Sequence, residues 1–487
     1  MVDTEKKSNA KTAVLSGLAW KFSERLAAQL ISFIVTLVLA RLLTPDDYGI
    51  VAMVLVFISI ADVFVNSGFS SGLIQKKDAD DTDFSTMFYC GFACSIALYF
   101  AIFFCAPLIA DYYGEESLIV ILRVFALKIP LGSFNAIQHA YVSRHMLFKR
   151  FFWSTLFGTI VSGFVGVGMA YLGFGVWALV AQYFANMIMD TIVLFVTIPW
   201  RPKLVFSKDS AKRLLGYGWK VLAADLSGTF FGQLRNLLIG GVYTSADLAF
   251  YTRGQQFPTF FANNLTSAVM SVLFPAMANE VDDMATVKRY CRRSLRMLAY
   301  VIAPLMFGLA AVAGPVIEVL LSLKWMDCVP YVQLFSIDCL IALLGVVPLQ
   351  AIKAIGRSDV LLKLEFLKKP VYLLLLILGI QSGVFAVAVT MLVYDVYGTI
   401  VNMRQLKKLI GYETLAQLRD VALSVALAAI MGVALMLLPL PSANCFFVLA
   451  VKIPLGVAIY VLLSAATNIE EYGYLKSYIK GRRKNIA

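Results

Sequence analysis

Charge is scarce in this chain. Aspartate, glutamate, lysine and arginine make up only 15% of the 487 residues, and histidine occurs twice. A soluble protein of this length needs more polar surface than that, so a soluble fold is excluded. The seven cysteines follow no pattern. Cys90 and Cys94 share a helix face, but no spacing suits a metal, so neither a metal nor a cofactor is expected and the cysteines read as packing residues. Long hydrophilic segments are missing too. The stretches between apolar runs are short on both sides, which leaves no room for a soluble catalytic domain. The ten-residue alternating segments of a membrane β-barrel are not evident either.

What is present is apolar. Hydrophobic residues make up 60% of the chain, and the mean hydropathy is +0.79. The apolar residues fall in runs of roughly 20, the length that crosses about 30 Å of hydrocarbon as a helix. The expectation is an all-α polytopic membrane protein of about 14 transmembrane helices. Their limits are 14–40, 48–69, 85–108, 118–142, 151–172, 175–198, 214–241, 246–274, 293–313, 329–352, 361–380, 383–403, 420–438 and 444–465. Residues 1–13 are polar and the first apolar run is too long for a signal-peptide core, so the first helix is expected to serve as its own insertion signal.

The net charge of +12 raises the question of nucleic acid, and its distribution answers it. Across alternate loops, 29 lysines and arginines fall on one side of the expected spans; only Arg41 and Lys324 fall on the other. That bias places both termini in the cytoplasm, as an even number of spans also requires. The excess charge is a topology signal with attraction to anionic membrane lipids; no nucleic-acid partner is expected.

One short stretch recurs. Thr44-Pro45-Asp46-Asp47 lines up with Thr244-Ser245-Ala246-Asp247, and Ala19-Trp20-Lys21 with Gly218-Trp219-Lys220. An offset of about 200 residues is too long for a solenoid and indicates one large unit present twice. Ala140–Arg144 followed by Lys149 likewise resembles Ala354–Arg357 followed by Lys363. The repeat is six helices, an even number, so both copies enter the membrane in the same sense. The expected division is a lobe over 1–205, a second over 206–408, and two additional helices with a basic tail over 409–487. The basic stretch 199–213 reads as the cytoplasmic linker between the lobes.

The stretch ARLLTPDDYGIVAMVLVFISIADVFVNSGFSSGLIQKKD (40–78) closely resembles the N-terminal signature of bacterial polysaccharide transporters. So do APLIADYYGEESL (106–118), GFGVWALVAQ (173–182) and PWRPKLVFS (199–207). These are Wzx-type and teichuronic-acid-export-type flippases of the multidrug/oligosaccharidyl-lipid/polysaccharide exporter (MOP) superfamily. The resemblance is strong to about residue 290; beyond that, helix count and repeat order carry it. It implies two six-helix lobes facing each other as a V. It also implies movement of undecaprenyl-pyrophosphate-linked oligosaccharide across the bacterial inner membrane, for lipopolysaccharide or another surface polysaccharide. The pathway's polymerase and chain-length proteins are candidate partners. A multidrug cation antiporter of the same superfamily is the alternative. A membrane enzyme is disfavoured, because no long outer loop exists and His139 and His145 both lie near the inner face.

Charges inside spans cost about 2.5–3.5 kcal/mol each at mid-depth and survive where they face water, a partner or a substrate. In the resembled fold, helices 1, 2, 7 and 8 border the central cavity. Arg25, Arg235 and Arg253, then Lys21 and Lys220, are the candidates for holding a pyrophosphate, arginine offering paired hydrogen bonds. The bland reading is that Lys21 and Lys220 snorkel beside Trp20 and Trp219, and that Glu24 pairs with Lys21. Asp62 and Asp225 are the candidates for ion coupling, with Asp190, Asp338 and Asp395 as further intramembrane carboxylates; each could equally neutralise an arginine. Arg123, Lys128 and His139 complete the set. Pro130, Pro258, Pro304, Pro348 and Pro370 are expected to bend their helices. Gly158, Gly163, Gly166 and Gly168 are expected to allow close helix packing.

Overall fold

The structure is a computed structural model and describes residues 28–474 except 77, 146 and 441–443. Every regular element among the described residues is helical. The chain divides into two compact units, residues 1–249 and 250–487. Among the described residues, ten segments are long and apolar enough to cross a membrane, and the chain is a multi-pass membrane protein.

The first unit contains α1 (Ala28–Leu42), α2 (Pro45–Gln75), α3 (Asp81–Tyr113), α4 (Ser117–Ala126), α5 (Lys128–Arg144), α6 (Phe148–Tyr171), α7 (Val176–Thr197), α8 (Lys208–Val242) and the first turn of α9 (Ser245–Ala278). The fourth expected span is broken: α4 ends at Ala126 and α5 starts at Lys128. Pro130 has no N–H to donate back to Ala126, which explains a break at this point. The seventh expected span begins earlier than hydropathy indicated. Ser207 caps α8 by accepting from the Ser210 N–H at 3.3 Å, so charged residues 208–213 are helical and the linker is shorter than 199–213.

The recurring stretch builds the same device twice. Thr44 N–H donates to Asp47 Oδ2 at 2.9 Å, and Asp47 N–H to Thr44 Oγ1 at 3.3 Å. Thr244 N–H donates to Asp247 Oδ2 at 3.2 Å, and Asp247 N–H to Thr244 Oγ1 at 3.1 Å. Both are reciprocal caps that satisfy orphan donors at a helix start. The two starts also touch, Ser245 Oγ donating to Asp46 Oδ1 at 2.6 Å. Thr44→Ala removes one cap and should lower stability by about 1 kcal/mol, read as a lower melting temperature of the detergent-purified protein. No change in melting would show that the cap carries no stability.

Helices α2 and α8 run antiparallel. At one end a Cβ on Gly49 would lie 1.9 Å from the Ser245 carbonyl oxygen at the start of α9, and one on Gly240 would lie 3.2 Å from Met53. At the other end a Cβ on Gly72 would lie 3.2 Å from the Leu214 carbonyl oxygen. In α6, added carbons at Gly158, Gly163 and Gly166 would approach Asn186, Val35 and Gln182 at 3.2, 2.5 and 3.0 Å, whereas Gly168 faces open space. Three of the four glycines therefore sit at close helix contacts.

The arginines and lysines at one end of this unit find acceptors. Arg144 donates to the Leu73 carbonyl at 2.8 Å and to that of Lys76; Arg150 donates to the Thr197 carbonyl. Lys203 pairs with Asp81 at 2.6 Å. Arg144 and Arg150 thus satisfy the free carbonyls that end α2 and α7.

The second unit contains the rest of α9, α10 (Met284–Ala311), α11 (Ala313–Leu320), a 3-10 turn (Leu323–Cys328), α12 (Val329–Ala354), α13 (Ser358–Ile380), α14 (Val384–Ile410), α15 (Thr414–Leu437) and α16 (Cys445–Ala466). Its core joins Cys291, Leu295 and Met306 of α10 to Val347 and Ala351 of α12, Leu406 of α14 and Ala428 of α15. The two added helices, α15 and α16, are built into this core: Tyr460 Oη donates to the Tyr300 carbonyl at 3.0 Å. The chain then returns across α10. Arg296 binds Glu470 at 2.8 Å and the buried Glu471, and Arg292 binds Asp420 at 2.7 Å. Pro304, Pro348 and Pro370 lie inside helices that continue through them.

Four of the fourteen expected spans, the positions of α1, α8, α9 and α13, are not among the ten membrane-length apolar segments. For α1 the description begins only at residue 28. The other three carry charged or amide side chains within their length, such as Asp225 and Arg235 in α8, Arg253 and Gln256 in α9, and Lys363 and Glu365 in α13.

Candidate functional site

The polar groups of α8 gather on one face. Helical geometry of about 100° per residue puts Asp225, Gly228, Gly232 and Arg235 within an arc of about 80°. Asp225 is exposed and Arg235 half-buried. A Cβ on Gly228 or Gly232 would meet nothing within 4 Å. Lys220 is exposed at the edge of the same surface. Neither Asp225 nor Lys220 has an ion-pair partner among the described residues, while Arg235 is engaged by a neighbour. In a helix long enough to span a membrane, such a face is too costly against lipid tails, and an aqueous cavity is its natural surrounding.

The second feature of this unit is an ion pair. Lys128 Nζ lies 2.9 Å from Asp62 Oδ2, and their side chains are 20% and 27% exposed. The lysine sits at the break between α4 and α5, where the freed backbone brings it against α2. Asp62 therefore has a cation beside it, one the sequence named but did not pair with it. Arg123 is also engaged: its Nε donates to the Phe103 carbonyl at 3.2 Å, and its guanidinium lies 4.3 Å from the Phe103 ring centroid.

A third feature escaped the sequence reading as a group. The Asp190 carboxylate accepts from Asn135 Nδ2 at 3.1 Å and from Ser154 Oγ, and lies 3.0 Å from His139 Nε2. Asn135 and His139 are four apart on α5 and so share a face. That spacing was visible in the sequence; their convergence on α6 and α7 was not.

The second unit holds Arg253, half-buried on α9, whose guanidinium donates to the Gln256 side chain one turn on. Lys368 is buried and reaches Glu365, one turn back on the same helix, at 3.1 Å. Asp338 is 6% exposed and packs within the same unit. Lys21, Glu24 and Arg25 lie outside the described residues. The structure thus brings Asp62 to Lys128 and Asp225 to the same face as Arg235, with Lys220 at its edge. Arg253 belongs to the other unit.

The family model described as "Polysaccharide biosynthesis protein" matches residues 38–330. The succinoglycan biosynthesis transport protein ExoT of Rhizobium meliloti is 24% identical over 68% of this chain and 67% of its own length. The teichuronic acid biosynthesis protein TuaB of Bacillus subtilis is 22% identical over 76% and 77%, and the lipopolysaccharide biosynthesis protein WzxC of Escherichia coli 22% over 80% and 80%. Among solved structures, the lipid II flippase MurJ in an inward closed conformation aligns with a TM-score of 0.72 at 15% identity, covering 93% of this chain and 98% of MurJ. An inward-facing multidrug MATE transporter of the MOP superfamily aligns at 0.52 and 14% identity, covering 90% and 98%. These relatives are named for the biosynthesis or transport of succinoglycan, teichuronic acid and lipopolysaccharide, and the solved structures give the fold. By the match over more than half its length, this chain is a member of the polysaccharide biosynthesis protein family.

Proposed function

We propose that this protein flips an undecaprenyl-pyrophosphate-linked oligosaccharide across the cytoplasmic membrane for surface-polysaccharide synthesis. The single observation that carries this reading is the open face of α8. A membrane-length helix that presents Arg235 and Asp225 beside two bare glycines is suited to a wide, wet path for a sugar chain and to a cation for its pyrophosphate. The relatives' names supply the substrate class: three of them serve succinoglycan, teichuronic acid and lipopolysaccharide.

In this reading α1 and the three polar helices α8, α9 and α13 cross the membrane with the ten apolar segments. Fourteen spans form two parallel six-helix lobes, 1–205 and 206–408, with 409–487 added and both termini cytoplasmic. Alternating access moves the glycan, with Arg25, Arg235, Arg253, Lys21 and Lys220 toward the pyrophosphate. Ion coupling falls to Asp225 on the open face rather than to Asp62, which Lys128 occupies.

The test is flipping of a fluorescent undecaprenyl-pyrophosphate glycan in proteoliposomes. Arg235→Ala should slow flipping at least about tenfold and Arg235→Lys less, because lysine keeps the charge and loses the paired contacts. Equal rates for wild type and Arg235→Ala would remove Arg235 from the path. No flipping by wild type would remove the substrate class.

A further inference from the structure

The open face of α8 leaves a second cationic feature unused. At the basic end of the second unit, α14 closes with Arg404, Lys407 and Lys408 in its last two turns and stops at Gly411, whose φ of 63° is left-handed. Beyond it, α15 starts at Thr414, and Leu367 of α13 approaches from the side. Between them lies a cavity of about 510 Å³. Arg404, Lys407 and Lys408 line it with one carboxylate, Glu413, and with Leu367 and Leu415. The two leucines are 52% and 76% exposed.

We propose that this cavity binds the phosphate of an anionic phospholipid in the adjacent leaflet, with Arg404, Lys407 and Lys408 as its cationic groups. Three observations carry this. The charge is unbalanced, three cations against one carboxylate. That carboxylate already acts as a stand-in anion, Glu413 Oε1 lying 3.0 Å from Lys407 Nζ, so an arriving phosphate would exchange one anion for another. The surroundings also suit an acyl chain better than free phosphate: Leu367, Leu374 and Leu378 lie at i, i+7 and i+11 on α13, all more than half exposed, and form an apolar stripe leading away from the cavity.

Scattered basic residues at a membrane surface attract anionic lipid without binding any one molecule. This cluster differs in having walls. A phosphate held by it touches groups from two helices and the loop between them, and an alkyl track continues from the cavity. The side of the membrane follows from the lysine and arginine bias, which puts this end in the cytoplasm.

The experiment uses full-length protein in phosphatidylcholine nanodiscs with a photoactivatable phosphatidylglycerol as probe, labelling being read by mass spectrometry on peptides spanning 401–415. Wild type should label there, and unlabelled phosphatidylglycerol should compete where phosphatidylcholine does not. Arg404→Gln with Lys408→Gln should cut labelling at least about tenfold. Glu413→Gln should raise it, an opposite shift that a folding defect cannot mimic. The proposal is overturned if the double variant labels like wild type or if a phosphatidylcholine probe labels equally. Competition by inorganic phosphate as effective as that by phosphatidylglycerol would overturn it too, as the site would then serve free phosphate. Flipping of the glycan is not part of this readout, so the result stands apart from the proposed transport.

Discussion

Gly49→Ala should destabilise the first unit by about 3 kcal/mol, at the upper end of overpacking costs. The added carbon would sit 1.9 Å from the Ser245 carbonyl oxygen. That atom is backbone at the start of α9, inside a reciprocal cap and beside the Ser245–Asp46 bond. It has no rotamer through which to move away, so α2 and the second hairpin must separate or the helix must bend. Gly168→Ala provides the matched control. It too lies inside a helix, but its carbon meets nothing within 4 Å, so alanine should be neutral or stabilising by about 0.5–1 kcal/mol. Melting of the two purified variants in detergent decides the matter. Similar melting temperatures would mean that the two hairpins are not seated as described.

The second large effect concerns Lys128. Lys128→Met leaves Asp62 without its cation in a poorly hydrated place and should cost on the order of 2–3 kcal/mol, less than a fully buried pair because both side chains keep some exposure. Asp62→Asn combined with Lys128→Met removes both charges and should recover most of the stability. The cycle of two single variants and the double, followed by thermal unfolding, isolates the pair. A double variant as unstable as the sum of the singles would show that the two residues act independently.

Much of this was legible from one dimension. Apolar runs near 20 residues located the ten apolar segments, because the thickness of hydrocarbon fixes that length. The Thr-x-x-Asp echo predicted two like hairpins, and both fold as reciprocal caps because that chemistry is local. Charge pairing was another matter. Asp62 and Lys128 were each singled out, yet they are 66 residues apart, and only the break at Leu127 and the packing of α5 against α2 bring them together. Asp190 needed three helices to acquire Asn135, His139 and Ser154. Arg144 and Arg150 were read as markers of the cytoplasmic side. Their bonds to the carbonyls ending α2 and α7 depend on which helix ends adjoin, and the sequence does not state that.

The polarity of α8 also bears on how the protein is made. A nascent helix partitions into the bilayer readily when it is apolar; one carrying Lys220, Asp225 and Arg235 does so poorly by itself. Its partner α2, packed along it from Met53 to Gly72, is synthesised some 130 residues earlier and is among the apolar segments. If α8 crosses the membrane, as the proposed fourteen-span arrangement has it, its entry depends on a surface already in place. In that reading α2 serves as the intramolecular chaperone for α8. Truncations that remove α2 should accordingly leave α8 outside the bilayer, exposed to quality-control proteolysis, even though every residue of α8 is intact.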